Sequence, residues 1–354
     1  MKRVYPFTAI VGQRNMKTAL LVSVIDPSLG GVLLRGQKGT AKTAVVRGLA
    51  QMLNLRNNSS TESVPLVELP LGAGEDRLIG TLHLETALKT GERKFEPGLL
   101  AEADKGILYV DEVNLLEAHL VDILLDVSVS GINRVEREGL SHEHPARFVL
   151  VGTMNPEEGD LRPQFTDRFA LCIDVLAENN LDDRKEIIRR RLEFEKDPEE
   201  FYGQYLDDEK VLARQVFEAR EKLHLIPVLE EAWNTAVAIA LRSGTPGHRA
   251  DIAMIKTARA LAAFLEISEV NSQLVQSAAY LVLPHRLGIE SIFGDSSSPE
   301  ERIRAAIDGK PIQSQEEFDE TDFSDEELEA MQTPGPAAAG SMVFEFLKKK
   351  LRPV

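Results

Sequence analysis

Cysteine is all but missing from this chain: Cys172 is the only one in 354 residues. No intrachain disulfide can form, a usage that fits a reducing cytoplasm. Long apolar runs are missing too. None approaches the roughly 18 residues that span a bilayer, and Met1-Lys2-Arg3-Val4-Tyr5-Pro6 is not followed by an apolar signal core. The expectation is a soluble, cytoplasmic protein with no membrane partner. Positive charge is in deficit. Lys and Arg number 41 against 57 Asp and Glu, a formal net charge of -16. Gripping a nucleic-acid backbone needs a basic face, so a general nucleic-acid partner is not expected. No internal repeat is present. The remaining composition is ordinary. Hydrophobic residues make up 43%, enough for a real core, and the length suits two domains at about one per 150 residues.

Up to about residue 175, short apolar runs alternate with amphipathic stretches. The runs at 32–34, 66–69, 107–110, 148–152 and 170–174 read as strands buried on both faces. Helical stretches separate most of them, the pattern of a parallel α/β sheet. Two segments break this rhythm, at about 78–97 and 130–147. Each reads as a hairpin, with turns at Thr90-Gly91 and Glu138-Gly139, and each is long for a mere connection. Beyond 176 the pattern becomes helical. Residues 177–206 form a charged connector. Stretches at 207–222, 228–242, 249–267 and 271–285 then carry apolar residues at three- and four-residue spacing. Regularity is lost from 294. Residues 316–329 are strongly acidic and 333–340 are small and Pro/Gly-rich, a composition that favours disorder. Residues 342–351 fit a short amphipathic helix.

The chemistry concentrates in Gly36-Gln37-Lys38-Gly39-Thr40-Ala41-Lys42-Thr43, between an apolar run and a helical one. Strand, Gly-containing loop, Lys-Thr and helix is the order of a nucleoside-triphosphate cradle, whose N–H groups point at phosphates. In that reading Lys42 reaches the β- and γ-phosphates and Thr43 holds Mg2+. Ala41 stands where Gly is usual. The run Ile107-Leu108-Tyr109-Val110 ends in Asp111-Glu112. Two carboxylates thus sit at the C-terminal end of a buried strand, where open α/β sheets bind ligands. Asp111 would orient Mg2+ and Glu112 would polarise the attacking water. Asn155 ends the next strand and suits a hydrogen bond to the γ-phosphate or to that water. Arg168, in Asp167-Arg168-Phe169, is a candidate arginine finger serving the nucleotide of a neighbouring copy. Arg249 opens a helix, where the helix dipole gives a cation no help, and is a candidate nucleotide contact.

This ordered set, with Ile10-Val11-Gly12-Gln13 ahead of the phosphate loop, resembles the AAA+ ATPases over about residues 4–290. Within them, Tyr5-Pro6-Phe7-Thr8-Ala9, Phe95-Glu96-Pro97-Gly98-Leu99-Leu100 and Asn155-Pro156-Glu157-Glu158-Gly159-Asp160 are similar to the magnesium chelatase ATPase (I) subunit. The resemblance implies a P-loop parallel sheet flanked by helices, with a C-terminal helical lid. It implies ATP and Mg2+ as cofactors and a homo-hexameric ring. It also implies a motor: ATP hydrolysis drives a partner that inserts a metal ion into a tetrapyrrole. The partners would be an integrin-like (D-type) subunit and a large tetrapyrrole-binding subunit. By motif, Asn155 becomes sensor 1, Arg168 the arginine finger and Arg249 sensor 2. The two hairpin segments become the helix-2 insert and the pre-sensor hairpin.

On that resemblance, residues 1–176 are the nucleotide-binding domain, 177–206 a connector, 207–293 the lid and 294–354 an acidic tail. The tail resembles the linker of fused chelatase I–D chains. Photosynthetic I subunits usually end the phosphate loop Gly-Lys-Ser, where this chain has Ala41-Lys42-Thr43. A cobalt chelatase of the cobalamin pathway therefore stays open beside a magnesium one. The alternative is a MoxR-type remodelling ATPase, which shares the core motifs and also works with an integrin-like partner. A replicative-helicase motor fits poorly with the net acidity. Three features read as structural. His142 and His144 lack a third metal ligand. Cys172 lies on an apolar strand and reads as buried. Trp233, Val237 and Leu241 share a helical face and read as core.

Overall fold

The computed structural model describes residues 3–55, 63–83, 94–137, 140–287 and 298–309. Its strands are β1 (Val32–Arg35), β2 (Leu66–Leu69), β3 (Gly80–His83), β4 (Lys94–Pro97), β5 (Ile107–Val110), β6 (Ile132–Arg137), β7 (Leu140–Pro145), β8 (Val149–Met154) and β9 (Leu171–Asp174). Five of them form a parallel sheet in the order β2-β5-β8-β1-β9. The side chains alternate as the pleat requires. Val32, Leu34, Tyr109, Val151 and Ile173 enter one core, while Leu33, Leu108, Val110, Leu150 and Cys172 enter the other. Both faces are covered, which is why these strands stand out in the sequence as unbroken apolar runs.

The longer helices are α1 (Arg14–Ile25), α2 (Lys42–Leu53), α3 (Ala118–Ser130), α4 (Leu181–Lys196), α5 (Pro198–Lys222), α6 (Glu230–Arg242), α7 (Arg249–Leu265), α8 (Ser272–Val282) and α9 (Pro299–Asp308). The expected boundary between connector and lid at 206/207 falls inside α5. Asp197 caps that helix through Glu199 and Glu200 N–H, and Pro198 occupies its first turn. The high charge of 177–206 masked this start signal. The core does not divide at the boundary either. Leu20 and Ile25 of α1, Leu212 and Val216 of α5, and Met254 and Leu261 of α7 join the sheet residues Val32 and Leu34 in one buried cluster.

Two further expectations are corrected. Trp233, Val237 and Leu241 are not core: they are 44%, 46% and 76% exposed. Helix α6 packs instead through Ala232, Ala236, Ile239 and Ala240. Small side chains at four-residue spacing let it approach α7 and α8 closely, and periodicity alone could not say which face wins. Regularity also does not end at 294. Helix α9 carries a full capping box between Ser298 and Glu301, with Pro299 in the first turn. It buries Ile303 and Ala306 and receives Arg242 Nη1 on Ala306 O at 3.1 Å.

The two inserted segments are both antiparallel pairs, β3 with β4 and β6 with β7. Asn133 of β6 donates to Ile79 O at 2.8 Å and lies 2.9 Å from His144 Nε2. Phe95 of β4 stacks on His142, with ring centroids 4.2 Å apart. The two histidines are therefore packing elements that join one hairpin to the other. The hairpin tips at Thr90-Gly91 and Glu138-Gly139, the acidic stretch 316–329 and the helix expected over 342–351 lie outside the described residues.

Candidate active site

The phosphate loop leaves β1 between two neighbours. Gly36 N–H donates to Met154 O at 3.0 Å, and Val175 N–H donates to Arg35 O at 2.6 Å. A Cβ on Gly36 would lie 2.3 Å from Val175 O, so only glycine fits there. Ala41 takes the left-handed conformation at φ 62°. Glycine adopts that region freely and alanine does not, which gives Ala41 a local strain cost of ~1 kcal/mol. Helix α2 then starts at Lys42.

A cleft of about 360 Å³ opens at the C-terminal ends of β1, β5 and β8. Lys38, Gly39, Thr40, Ala41, Lys42, Thr43, Asp111, Glu112, Thr153 and Asn155 line it. Every residue expected in the cradle from Lys38 onward is therefore brought to one place, with both carboxylates and Asn155. Gly36 and Gln37 do not line the cleft, but their carbonyls accept from Lys42 Nζ, the latter at 2.9 Å. Burial lowers the Lys42 pKa, while the nearby Asp111 and Glu112 charges act in the opposite direction.

A relay of hydroxyls supports the two metal-binding candidates. Thr43 Oγ1 lies 2.9 Å from Tyr109 OH, and Tyr109 OH donates to Asp111 Oδ1 at 3.0 Å. Burial pushes the Tyr109 phenol up to about 12, so it stays a neutral donor. Thr43 then donates to Tyr109, which leaves the Thr43 lone pairs free for the cleft. Thr153 Oγ1 donates to Asp111 Oδ1 at 2.5 Å and accepts from Glu112 N–H at 3.1 Å. Neither Tyr109 nor Thr153 was expected from the sequence. The signal was available: Tyr109 stands two residues before Asp111 on a strand, so both share a face.

Glu112 sits at φ 53°, the left-handed region that a carboxylate side chain rarely adopts. This turns it off the strand end and into the cleft. Its Oε1 meets Lys38 Nζ at 3.2 Å, and Lys38 also pairs with Glu158 at 2.5 Å. The hydrogen bonds to Glu158 and Glu112 raise the Lys38 pKa. Asn155 is buried, and its Oδ1 accepts from Glu157 N–H at 3.3 Å. The Asn155 side chain also bonds to Glu158, whose carboxyl is held below its usual range chiefly by Lys38 and in part by Asn155.

The two arginines lie elsewhere. Arg168 Nη1 donates to Asp122 at 2.6 Å and its Nη2 to Asp126, both on α3. Arg249 was expected at the nucleotide, but its Nη1 pairs with Asp167. Neither lines the cleft of its own chain. A surface guanidinium takes the nearest carboxylate, and sequence spacing cannot reveal which one that is.

The family of this chain follows from its likeness to other proteins. A family model of the AAA domain (dynein-related subfamily) matches residues 31–169, and one of the AAA lid domain matches 234–306. The magnesium-chelatase subunit ChlI homolog of Methanocaldococcus jannaschii is 44% identical over 315 residues, 81% of this chain and 86% of the relative. The magnesium-chelatase 38 kDa subunit of Rhodobacter capsulatus is 44% identical over 308 residues, 80% of this chain and 88% of the relative. The chain belongs to the magnesium-chelatase ATPase (I) subunit family. An uncharacterised Mycobacterium tuberculosis protein is 48% identical over 282 residues, but the match spans only 44% of that longer relative. A crystal structure of a Cytophaga hutchinsonii protein superposes with a TM-score of 0.61 at 20% identity, over 85% of this chain and 91% of the other. That likeness concerns the fold alone. Among the described residues no helix is long and apolar enough to cross a membrane.

Proposed function

We propose that this family member is the ATP-hydrolysing motor of a metal chelatase. The observation that carries this reading is the convergence of Lys42, Thr43, Asp111, Glu112 and Asn155 on one cleft in a chain of the I-subunit family. The donor set fits Mg2+-ATP as substrate. Lys42 would bind phosphate oxygens, and Thr43 Oγ1 with Asp111 would hold the Mg2+ that neutralises phosphate charge. Glu112 would accept a proton from the attacking water. Asn155 Nδ2 would orient that water or the γ-phosphate.

Arg168 stands clear of its own cleft, which suits a finger offered to the next copy in a ring. A hexamer is the ring that the family implies. Relatives of this chain are named as subunits; on this reading insertion of the cation would belong to partner chains, an integrin-like subunit and a large tetrapyrrole-binding one. The names of the relatives favour magnesium as the inserted cation. The test begins with Glu112→Gln, which should still bind ATP but lose turnover. Reconstitution with both partner types then follows, with Mg2+ and Co2+ offered separately to a tetrapyrrole. Hydrolysis without insertion of either metal would replace the chelatase reading with the remodelling one.

A further inference from the structure

The segment that carries Arg168 is gripped from the lid. Arg286, four residues beyond α8, has a side chain only 3% exposed. Its Nε donates to Asp167 Oδ1 at 3.3 Å. Its Nη2 donates to Asp167 O at 3.0 Å and to Phe169 O at 2.7 Å, the two carbonyls that flank Arg168. Its Nη1 bridges Ala170 O at 3.0 Å and Val282 O at 2.7 Å. His285 Nε2 lies 3.0 Å from Phe169 O, and burial beside Arg286 holds that imidazole neutral. On the other side of the same carboxylate, the exposed Arg249 takes Asp167 Oδ2. A planar fork spread over three carbonyls within residues 167–170 fixes their path in a way an ammonium cannot.

The reach of a finger is set by its backbone. A displacement of about 1 Å at a catalytic group costs on the order of 100-fold in rate. The carbonyls on either side of Arg168 are both held by one buried nitrogen, and that nitrogen belongs to the lid. We propose that Arg286 is the positioning residue of the Arg168 finger, so that the lid of one copy sets catalysis in the cleft of the next. This rests on the reading of Arg168 as a finger acting between copies. Arg286 is a positioning residue, since it reaches no part of the cleft in its own chain.

The test uses the full chain. Arg286→Lys keeps the charge beside Asp167 but cannot span the Phe169 and Ala170 carbonyls. Its kcat for ATP hydrolysis should fall about 10- to 100-fold, with KM within about two-fold, because its own cleft is intact. Mixing Arg286→Lys with Glu112→Gln chains gives the decisive readout. Each Glu112→Gln copy offers a well-placed finger to an intact neighbouring cleft, so hydrolysis should exceed the mean of the two separate variants. A staple that merely supports its own fold gives no such recovery, and that result would overturn the proposal. A parallel mixture of Arg168→Ala with Glu112→Gln separates the two readings. If it fails to recover, the finger itself is wrongly assigned. If it recovers while the Arg286→Lys mixture does not, only the positioning role falls. Circular dichroism and a thermal melt check folding. Should Arg286→Lys not fold, Arg286→Gln, which cannot bridge the same carbonyls, replaces it with the same expectation, and wild-type turnover by that variant would equally refute the idea.

Discussion

Removing one oxygen from the hydroxyl relay tests the site directly. Tyr109→Phe deletes the donor to Asp111 Oδ1 at 3.0 Å and the partner of Thr43 Oγ1 at 2.9 Å. A hydrogen bond to a charged group contributes about 1.5–3 kcal/mol and a neutral one about 1 kcal/mol. Thr153 still holds Asp111 at 2.5 Å, so the carboxylate is loosened rather than freed. The loss should therefore lie near the lower end, at about 2 kcal/mol, or roughly 30-fold in the half-saturating Mg2+ concentration. The assay is steady-state ATP hydrolysis against Mg2+ at fixed ATP. Since the phenol titrates only near about 12, the effect should be the same from pH 6 to pH 9. Thermal stability should change little, because the ring stays and the two former partners face an open cleft. An unchanged Mg2+ dependence would refute the claim that Tyr109 orients the proposed metal-binding pair.

Other predictions concern the frame around the cleft. Burial pushes the Glu209 carboxyl from 4.5 up to about 7, where it accepts Thr8 N–H and Oγ1. With the folded pKa above the unfolded one, its contribution is complete below about 4.5 and is lost as pH rises through about 7. At ~1.4 kcal/mol per pKa unit this amounts to about 3 kcal/mol. Glu209→Gln should thus melt well above wild type at pH 8 and nearly with it at pH 5; parallel melts at both values would sink the argument. Ile303→Ala should cost about 2–5 kcal/mol, since Ile303 on α9 is buried, and hydrogen exchange should then rise first in α9. Ala41→Gly should relieve the left-handed strain and raise stability in a denaturant melt by about 0.5–1 kcal/mol; a loss of stability would show that Ala41 is at ease in its conformation.

Much of this architecture is legible in the sequence because the sheet is buried on both faces. That burial demands apolar runs such as Ile107-Leu108-Tyr109-Val110, which no solvent-facing strand needs. The phosphate loop is legible for a local reason, since Gly36 to Thr43 must build its own turn. What was not legible depends on partners far away in the chain. The stripe of Trp233, Val237 and Leu241 announces a shared face, but only the alanines opposite decide which side is covered. Helix α9 has little apolar content of its own and is fixed by Ile303, Ala306 and the reach of Arg242, although the Ser298-Glu301 box was there to be read. The pairing of Arg168 with Asp122 and Asp126, and the grip of Arg286 on residues 167–170, join segments with no local signature.

Cys172 lies at the centre of β9, fully buried, with its thiol pushed up to about 12 by that burial. As the sole cysteine in the sequence, it leaves the folded protein without a reactive thiol. The natural chain is therefore already a silent background for site-directed labelling. One cysteine introduced at exposed Ser130, at the end of α3 that carries Asp122 and Asp126, and another at exposed Leu241 on the lid would accept probes without interference from the core. Distances between such probes would follow the lid against α3 during turnover.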